Sequence, residues 1–164
     1  MISIWLTPSE DDRAYLQYII NDLASAHQAP VFSPHMTLFS PTDLSKESLI
    51  DLLAPIAENT QSLYVTMQGL AHTTNIWKTV FIELEETPEL TQIQRSIVSA
   101  IPDPNPYYFE PHISLIYKEM TVEEKEEIIR NLAVRNSYKM DKITAMRTGP
   151  NVEEWEKVME VSLA

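Results

Sequence analysis

The sequence predicts an α+β fold of two pseudo-symmetric lobes, each an antiparallel sheet backed by helices, with a cleft between them. Three observations predict it. A seven-residue motif occurs twice. The segments around the two copies run through the same order of strand and helix patterns. Strand-like segments alternate with period two, whereas helix-like ones repeat apolar residues three and four apart.

Ile2, Ile4 and Leu6 alternate as a first strand, and a helix follows near residues 9–27. The first motif, Phe32-Ser33-Pro34-His35-Met36-Thr37-Leu38, forms the next strand. Beyond a polar turn, Ser45-Lys46-Glu47-Ser48 opens a helix whose Leu49, Leu52, Leu53 and Ile56 have helical spacing. Pro55 falls inside that pattern and should kink or shorten it. Two strand-like segments then close this half: Leu63, Val65 and Met67 alternate in the first, and Trp77-Lys78-Thr79-Val80 continues the half.

The second half repeats the order. Val80, Ile82 and Leu84 alternate, and Thr87-Pro88-Glu89 starts a helix with proline at its first position. The second motif, Phe109-Glu110-Pro111-His112-Ile113-Ser114-Leu115, stands 77 residues after the first, matches it at four of seven positions and exchanges one hydroxyl residue for another. Thr121-Val122-Glu123-Glu124 is a capping box for a helix carrying Ile128, Ile129 and Leu132. Trp155-Glu156-Lys157-Val158 lies 78 residues after Trp77-Lys78-Thr79-Val80, so the register holds to within one residue. Residues 1–164 therefore read as a single bilobal domain, its duplicated halves carrying the motifs at 32–38 and 109–115.

Composition narrows the function classes. With 44% apolar and 22% charged residues the chain is globular. It has no cysteine, which excludes disulfides and cysteine-based zinc or redox sites. No apolar run approaches the roughly 20 residues that span a bilayer. Met1–Thr7 reads as a strand rather than a signal peptide. The expectation is a cytoplasmic monomer with no membrane partner. A net charge of −12 would repel a phosphate backbone, so no long nucleic acid is expected, while a small nucleotide held by local donors is compatible with it.

Residues i and i+2 of a strand share a face, so His35 sits with Thr37 and His112 with Ser114. Imidazole gives or takes a proton near neutral pH, and a hydroxyl donates to an anionic oxygen. Two imidazoles with two hydroxyls suit hydrolysis of a phosphodiester. One histidine takes a proton from water, the other protonates the leaving oxygen, and the hydroxyls steady the non-bridging oxygens. That scheme requires neither a metal nor another cofactor.

At these residues the sequence resembles the two-histidine (2H) phosphoesterase superfamily, marked by two H-x-[TS] motifs in duplicated lobes. Within it the chain looks closest to the cyclic phosphodiesterase branch known from plants and yeast. The resemblance takes in Ser3-Ile4-Trp5, both motifs, Tyr117, the acidic helix from Thr121 and the Glu154-Trp155-Glu156 strand. It implies hydrolysis of small cyclic phosphates such as ADP-ribose 1″,2″-cyclic phosphate or nucleoside 2′,3′-cyclic phosphates, the latter opened to 2′-phosphates. It implies that His112 activates water and His35 serves the leaving oxygen, roles that pseudo-symmetry leaves exchangeable. Thr37 and Ser114 would bind phosphoryl oxygens, and Tyr117 would help line the site. An enzyme acting on RNA 2′,3′-cyclic ends or with 2′-5′ RNA ligase-like activity, and a nucleotide-binding module without turnover, are the alternatives.

Strict alternation from His112 turns Tyr117 away from the site unless the strand ends or bulges near Ile116. Trp77 and Phe32 are candidates for stacking on a base or ribose, with core packing the equal alternative. Lys78, Lys118 and Arg147 are candidate phosphate neighbours, though solvated surface charge is the ordinary reading of each. His27 should cap a helix end, and His72 lies in a turn. The four histidines have no metal-ligand spacing, so no metal site is expected.

Overall fold

The computed structural model describes residues 1–164. The chain runs β1 (Ile2–Pro8), α1 (Glu10–His27), β2 (Met36–Thr42), α2 (Lys46–Glu58), β3 (Leu63–His72), β4 (Val80–Leu84), α3 (Pro88–Ala100), β5 (His112–Ile116), α4 (Val122–Asn131), β6 (Ser137–Arg147) and β7 (Glu156–Ser162). This is the α+β order that the patterning predicts, with every strand pair antiparallel.

The helix ends follow local chemistry. Glu10, Asp11 and Asp12 place negative charge on the first turn of α1, where the peptide dipoles favour it. Ser45, Thr87 and Thr121 each accept an N–H of the helix they start, and Glu124 closes the capping box at Thr121. Pro55 sits on the exposed side of α2, which ends at Glu58, within a turn of it. The Pro55 carbonyl accepts both the backbone N–H and the side-chain amide of Asn59 there.

The strands follow the order β2-β1-β6-β3-β4-β5, with β7 also on β6. The sequence halves and the sheet halves differ in their closing strands. β6, the fifth element of the second half, lies against β1 along most of its length. β3 begins on β6 through Leu63–Thr66 and then moves to β4 from Met67 onward. Helices cross over too: α1 packs on β5 as well as β1, and α3 packs on β2. Each half thus completes the other's layer. One continuous core, containing Ile4, Leu6, Leu38, Ile82, Ile113 and Ile143, runs through both.

The alternation of β1 divides its faces. Ile2, Ile4 and Leu6 enter this core, while Ser3 and Trp5 turn toward the opposite side. Trp5 is the cross-strand partner of Thr37, and Phe81 on β4 is the partner of Ser114. Each motif therefore meets an aromatic residue at the matching place.

Candidate active site

The two motifs meet. His35, Thr37, His112 and Ser114 all line one cleft of about 600 Å³, a volume suited to a small nucleotide. Trp77 and Tyr117 line it as well.

Each histidine is oriented by its own motif. The carbonyl of Ser33 accepts the Nδ1–H of His35 at 2.8 Å, and the carbonyl of Glu110 accepts that of His112 at 2.7 Å. The proline between carbonyl and histidine fixes φ in the chain bend that permits this contact. A proton held on Nδ1 leaves Nε2 of each neutral ring as the nitrogen free to take part in proton transfer.

The two rings have different surroundings. His35 is buried beneath the face of Trp5, with ring centroids 3.5 Å apart and planes 9° from parallel. Trp5 is itself held by its indole N–H, which donates to Ser3 Oγ at 2.8 Å. Burial lowers the His35 pKa to about 4, against the Ser33 bond that supports the charged ring; the nearby His112 lowers it further. His112 is half-buried, edge-on to Phe81 at 5.4 Å. Burial lowers its pKa as well, the Glu110 carbonyl raises it, the Lys78 ammonium lowers it and the Glu110 carboxylate raises it.

The hydroxyls differ too. Thr37 projects from β2 into the cleft, whereas Ser114 Oγ donates to the Trp77 carbonyl at 2.9 Å. Ser114 must leave that bond to donate to a bound oxygen. Tyr117 follows the last residue of β5, so the alternation that would have turned it away has ended, and its ring reaches the cleft. Burial raises the pKa of its phenol, leaving it a neutral donor.

Two expectations are corrected. Phe32 is buried and does not line the cleft; it stacks on the back of Tyr117 at 3.8 Å and stands edge-on to His35 at 6.4 Å. It supports the site from the core rather than meeting a substrate. Trp77 is not on a strand: Ile76–Lys78 form a single 3₁₀ turn. The Asn75 side chain accepts the Trp77 N–H at 3.0 Å, and Thr73 Oγ1 donates to the Lys78 carbonyl at 2.5 Å. These short polar side chains satisfy the backbone locally and outcompete a sheet ladder. Trp155 likewise lies off a strand, following the 3₁₀ turn Val152–Glu154 and preceding β7, so the equivalence of the two segments stands while their strand reading fails at the tryptophans.

Residue types alone did not single out three more lining groups. Trp5 and Trp155 bring the chain's tryptophans to three of three in the cleft, with Trp155 at 5.8 Å from Trp77 and 5.9 Å from both Trp5 and Tyr117. Glu110 lines it and binds Lys78, Nζ to Oε2 at 2.8 Å. The Ser3-Ile4-Trp5 segment was visible, but its partner on β2 was not. Of the other cations, Lys118 donates to the His27 carbonyl at the end of α1, and Arg147 pairs with Glu156 on the sheet edge. His72 faces Glu126, 3.9 Å away. No three His, Asp or Glu side chains gather to ligate a metal ion. No helix is long and apolar enough to cross a membrane.

The comparisons with known proteins agree with this architecture. The family model described as the 2′-5′ RNA ligase superfamily matches residues 13–149. A cyclic phosphodiesterase of Arabidopsis thaliana is 22% identical over 170 residues, covering 98% of this chain and 94% of that one. Among solved structures, E. coli LigT complexed with 3′-AMP superposes with a TM-score of 0.62 at 13% identity, over 99% of this chain and 97% of that one. The protein TT0787 of Thermus thermophilus superposes at 0.65 with 16% identity, over 99% and 97%. The chain belongs to the 2′-5′ RNA ligase superfamily of two-histidine phosphoesterases.

Proposed function

We propose that the protein is a metal-independent cyclic phosphodiesterase that opens small cyclic phosphates, ADP-ribose 1″,2″-cyclic phosphate or nucleoside 2′,3′-cyclic phosphates, the latter to 2′-phosphates. One observation carries this reading. Two imidazoles, each with Nδ1 tied to the carbonyl two residues earlier and a hydroxyl two residues later, line the same small cleft.

In the proposed step, Nε2 of His112 takes a proton from water as the water oxygen bonds to phosphorus. The ring P–O bond breaks, and His35 delivers a proton to the departing oxygen. His35 is neutral when free and gains its proton as the anionic phosphate enters. The face of Trp5 fixes the plane of the ring for that transfer. Thr37 and Ser114 donate to the non-bridging oxygens. Trp77, Trp155 and Tyr117 offer apolar rings to a base or ribose.

The net charge of −12 favours a mononucleotide-sized substrate over an RNA end. The test is a panel of 2′,3′-cyclic mononucleotides, ADP-ribose 1″,2″-cyclic phosphate and short RNAs with cyclic ends, each assayed with and without chelator. Chelator-resistant opening of the small substrates is expected. A strong preference for RNA would replace the substrate assignment, and tight binding without ring opening would replace the enzyme assignment.

A further inference from the structure

The two halves of the cleft are not equivalent in charge. In the second motif, the residue two before histidine is Glu110, and its carboxylate holds the Lys78 ammonium at 2.8 Å. The same ammonium lies over the Phe81 ring, 4.6 Å from its centroid, and Phe81 stands edge-on to His112. At the matching place of the first motif is Ser33, which brings no cation. The Lys78 side chain is only 18% exposed, against 54% for Glu110. A lysine packed this way keeps its head beside the cleft rather than swinging in solvent.

We propose that Lys78 is a catalytic cation of this site, contacting a non-bridging phosphate oxygen on the His112 side of the cleft. The proposal rests on the reading that the cleft takes a cyclic phosphate. An ammonium has three N–H donors. Glu110 uses one, so the others remain for a bound anion. Glu110 anchors the cation, and its own charge is offset by it. Because the cation stands at one histidine only, it distinguishes two rings that the duplicated motif makes alike. The charged and titratable groups around His112 are Lys78 on the 3₁₀ turn, Glu110 on its own segment, Glu83 opposite it on β4 and His35 across the cleft.

The test compares the intact wild-type protein with K78M, K78R and E110Q. Two readings are taken: the pH profile of kcat/KM for 2′,3′-cyclic AMP, and the affinity for inorganic phosphate at pH 8. K78M is expected to weaken phosphate binding about tenfold and to lower kcat/KM roughly tenfold to a hundredfold, the scale of losing one preorganised donor in a partly open site. Its acid limb should move to higher pH, because His112 is protonated more readily without the neighbouring cation. K78R should restore most of both. E110Q should move the acid limb the opposite way while phosphate still binds, because removing the carboxylate leaves the cation unopposed. K78M with wild-type phosphate affinity would overturn the proposal, whatever its acid limb does. If no cyclic phosphate is opened by any of the proteins, yet phosphate affinity still depends on Lys78, the phosphodiesterase reading fails and the anion site stands.

Discussion

The imidazole of His35 lies flat on the indole of Trp5, centroids 3.5 Å apart and planes within 9° of parallel. This contact comes from register: Trp5 on β1 faces Thr37 on β2, two residues after the histidine. The stack removes one face of the ring from water and fixes its plane. Trp5→Leu should raise the His35 pKa from about 4 toward the ordinary 6.5, because water then reaches the ring. It should also lower turnover, because Nε2 is no longer aimed. The ring-proton NMR shifts of His35 against pH check the first outcome. An unchanged titration would show that burial comes from elsewhere.

The same burial makes His35 a source of acid sensitivity. Its folded pKa is depressed to about 4, while an unfolded histidine titrates near 6.5. Between those values the unfolded chain binds more protons, so stability rises with pH across the window and is lost as pH falls through it. The full effect is on the order of 3 kcal/mol. His35→Asn, with no titrating ring, should flatten this part of the profile. Urea midpoints of wild type and variant at pH 4.5 and pH 7 measure it, and parallel profiles would count against the depressed pKa. Glu110 and Glu124, whose carboxyls are held low by Lys78 and by the Thr121 backbone, contribute to both proteins and cancel in the comparison.

His35→Ala and His112→Ala should each cost roughly 100-fold to 10,000-fold in turnover of a cyclic phosphate, the range for loss of a positioned acid or base. His112→Ala should leave the thermal midpoint nearly unchanged, because that ring is half-exposed and bonds only to its own segment. Full activity in either variant would end the two-imidazole mechanism.

How far the site could be read beforehand follows from what a repeat records. His35, Thr37, His112 and Ser114 were legible because duplication marks equivalent positions without any knowledge of the third dimension. Tyr117 was decidable only by the residue at which β5 stops. Phe32 shares the motif with His35 yet faces inward, since the strand begins only at Met36 and the bend at Pro34 separates the two. Trp77 looked like strand because Thr79, Val80 and Phe81 favour extended chain, while the competing bonds of Thr73 and Asn75 to the local backbone are not visible in periodicity. The exchange of β3 and β6 between layers was hidden for the same reason. Alternation says which face a residue takes, not which strand lies beside it.

All three tryptophans line the cleft, so intrinsic fluorescence should report occupancy directly. Titration with a nucleoside 2′-phosphate should change emission with a single saturable curve. Trp155→Phe should reduce the amplitude and weaken binding of the nucleotide more than that of inorganic phosphate, because its ring meets Trp5, Trp77 and Tyr117 at the apolar side of the cleft. Equal losses for both ligands would remove Trp155 from base or ribose recognition.

The turn that carries Trp77 and Lys78 depends on a buried threonine outside both motifs. Thr79 Oγ1 lies 2.9 Å from the Ile76 carbonyl and 3.0 Å from the Lys118 carbonyl, and it accepts the Lys118 N–H at 3.3 Å. It therefore ties the turn to the segment just after Tyr117, which is why Trp77 and Tyr117 meet at 5.2 Å. Thr79→Val keeps the shape and removes every one of these bonds, leaving backbone groups unpaired in the interior at a cost of about 1–3 kcal/mol. In a chain of this size that lowers the thermal midpoint by about 2–4 °C per kcal/mol. The loosened turn should raise KM for a cyclic nucleotide more than it lowers kcat, because it carries the Trp77 ring and the Lys78 cation proposed to hold substrate, while His35 lies apart from it, just before β2. A fall in kcat with KM unchanged would show instead that the turn acts through His112.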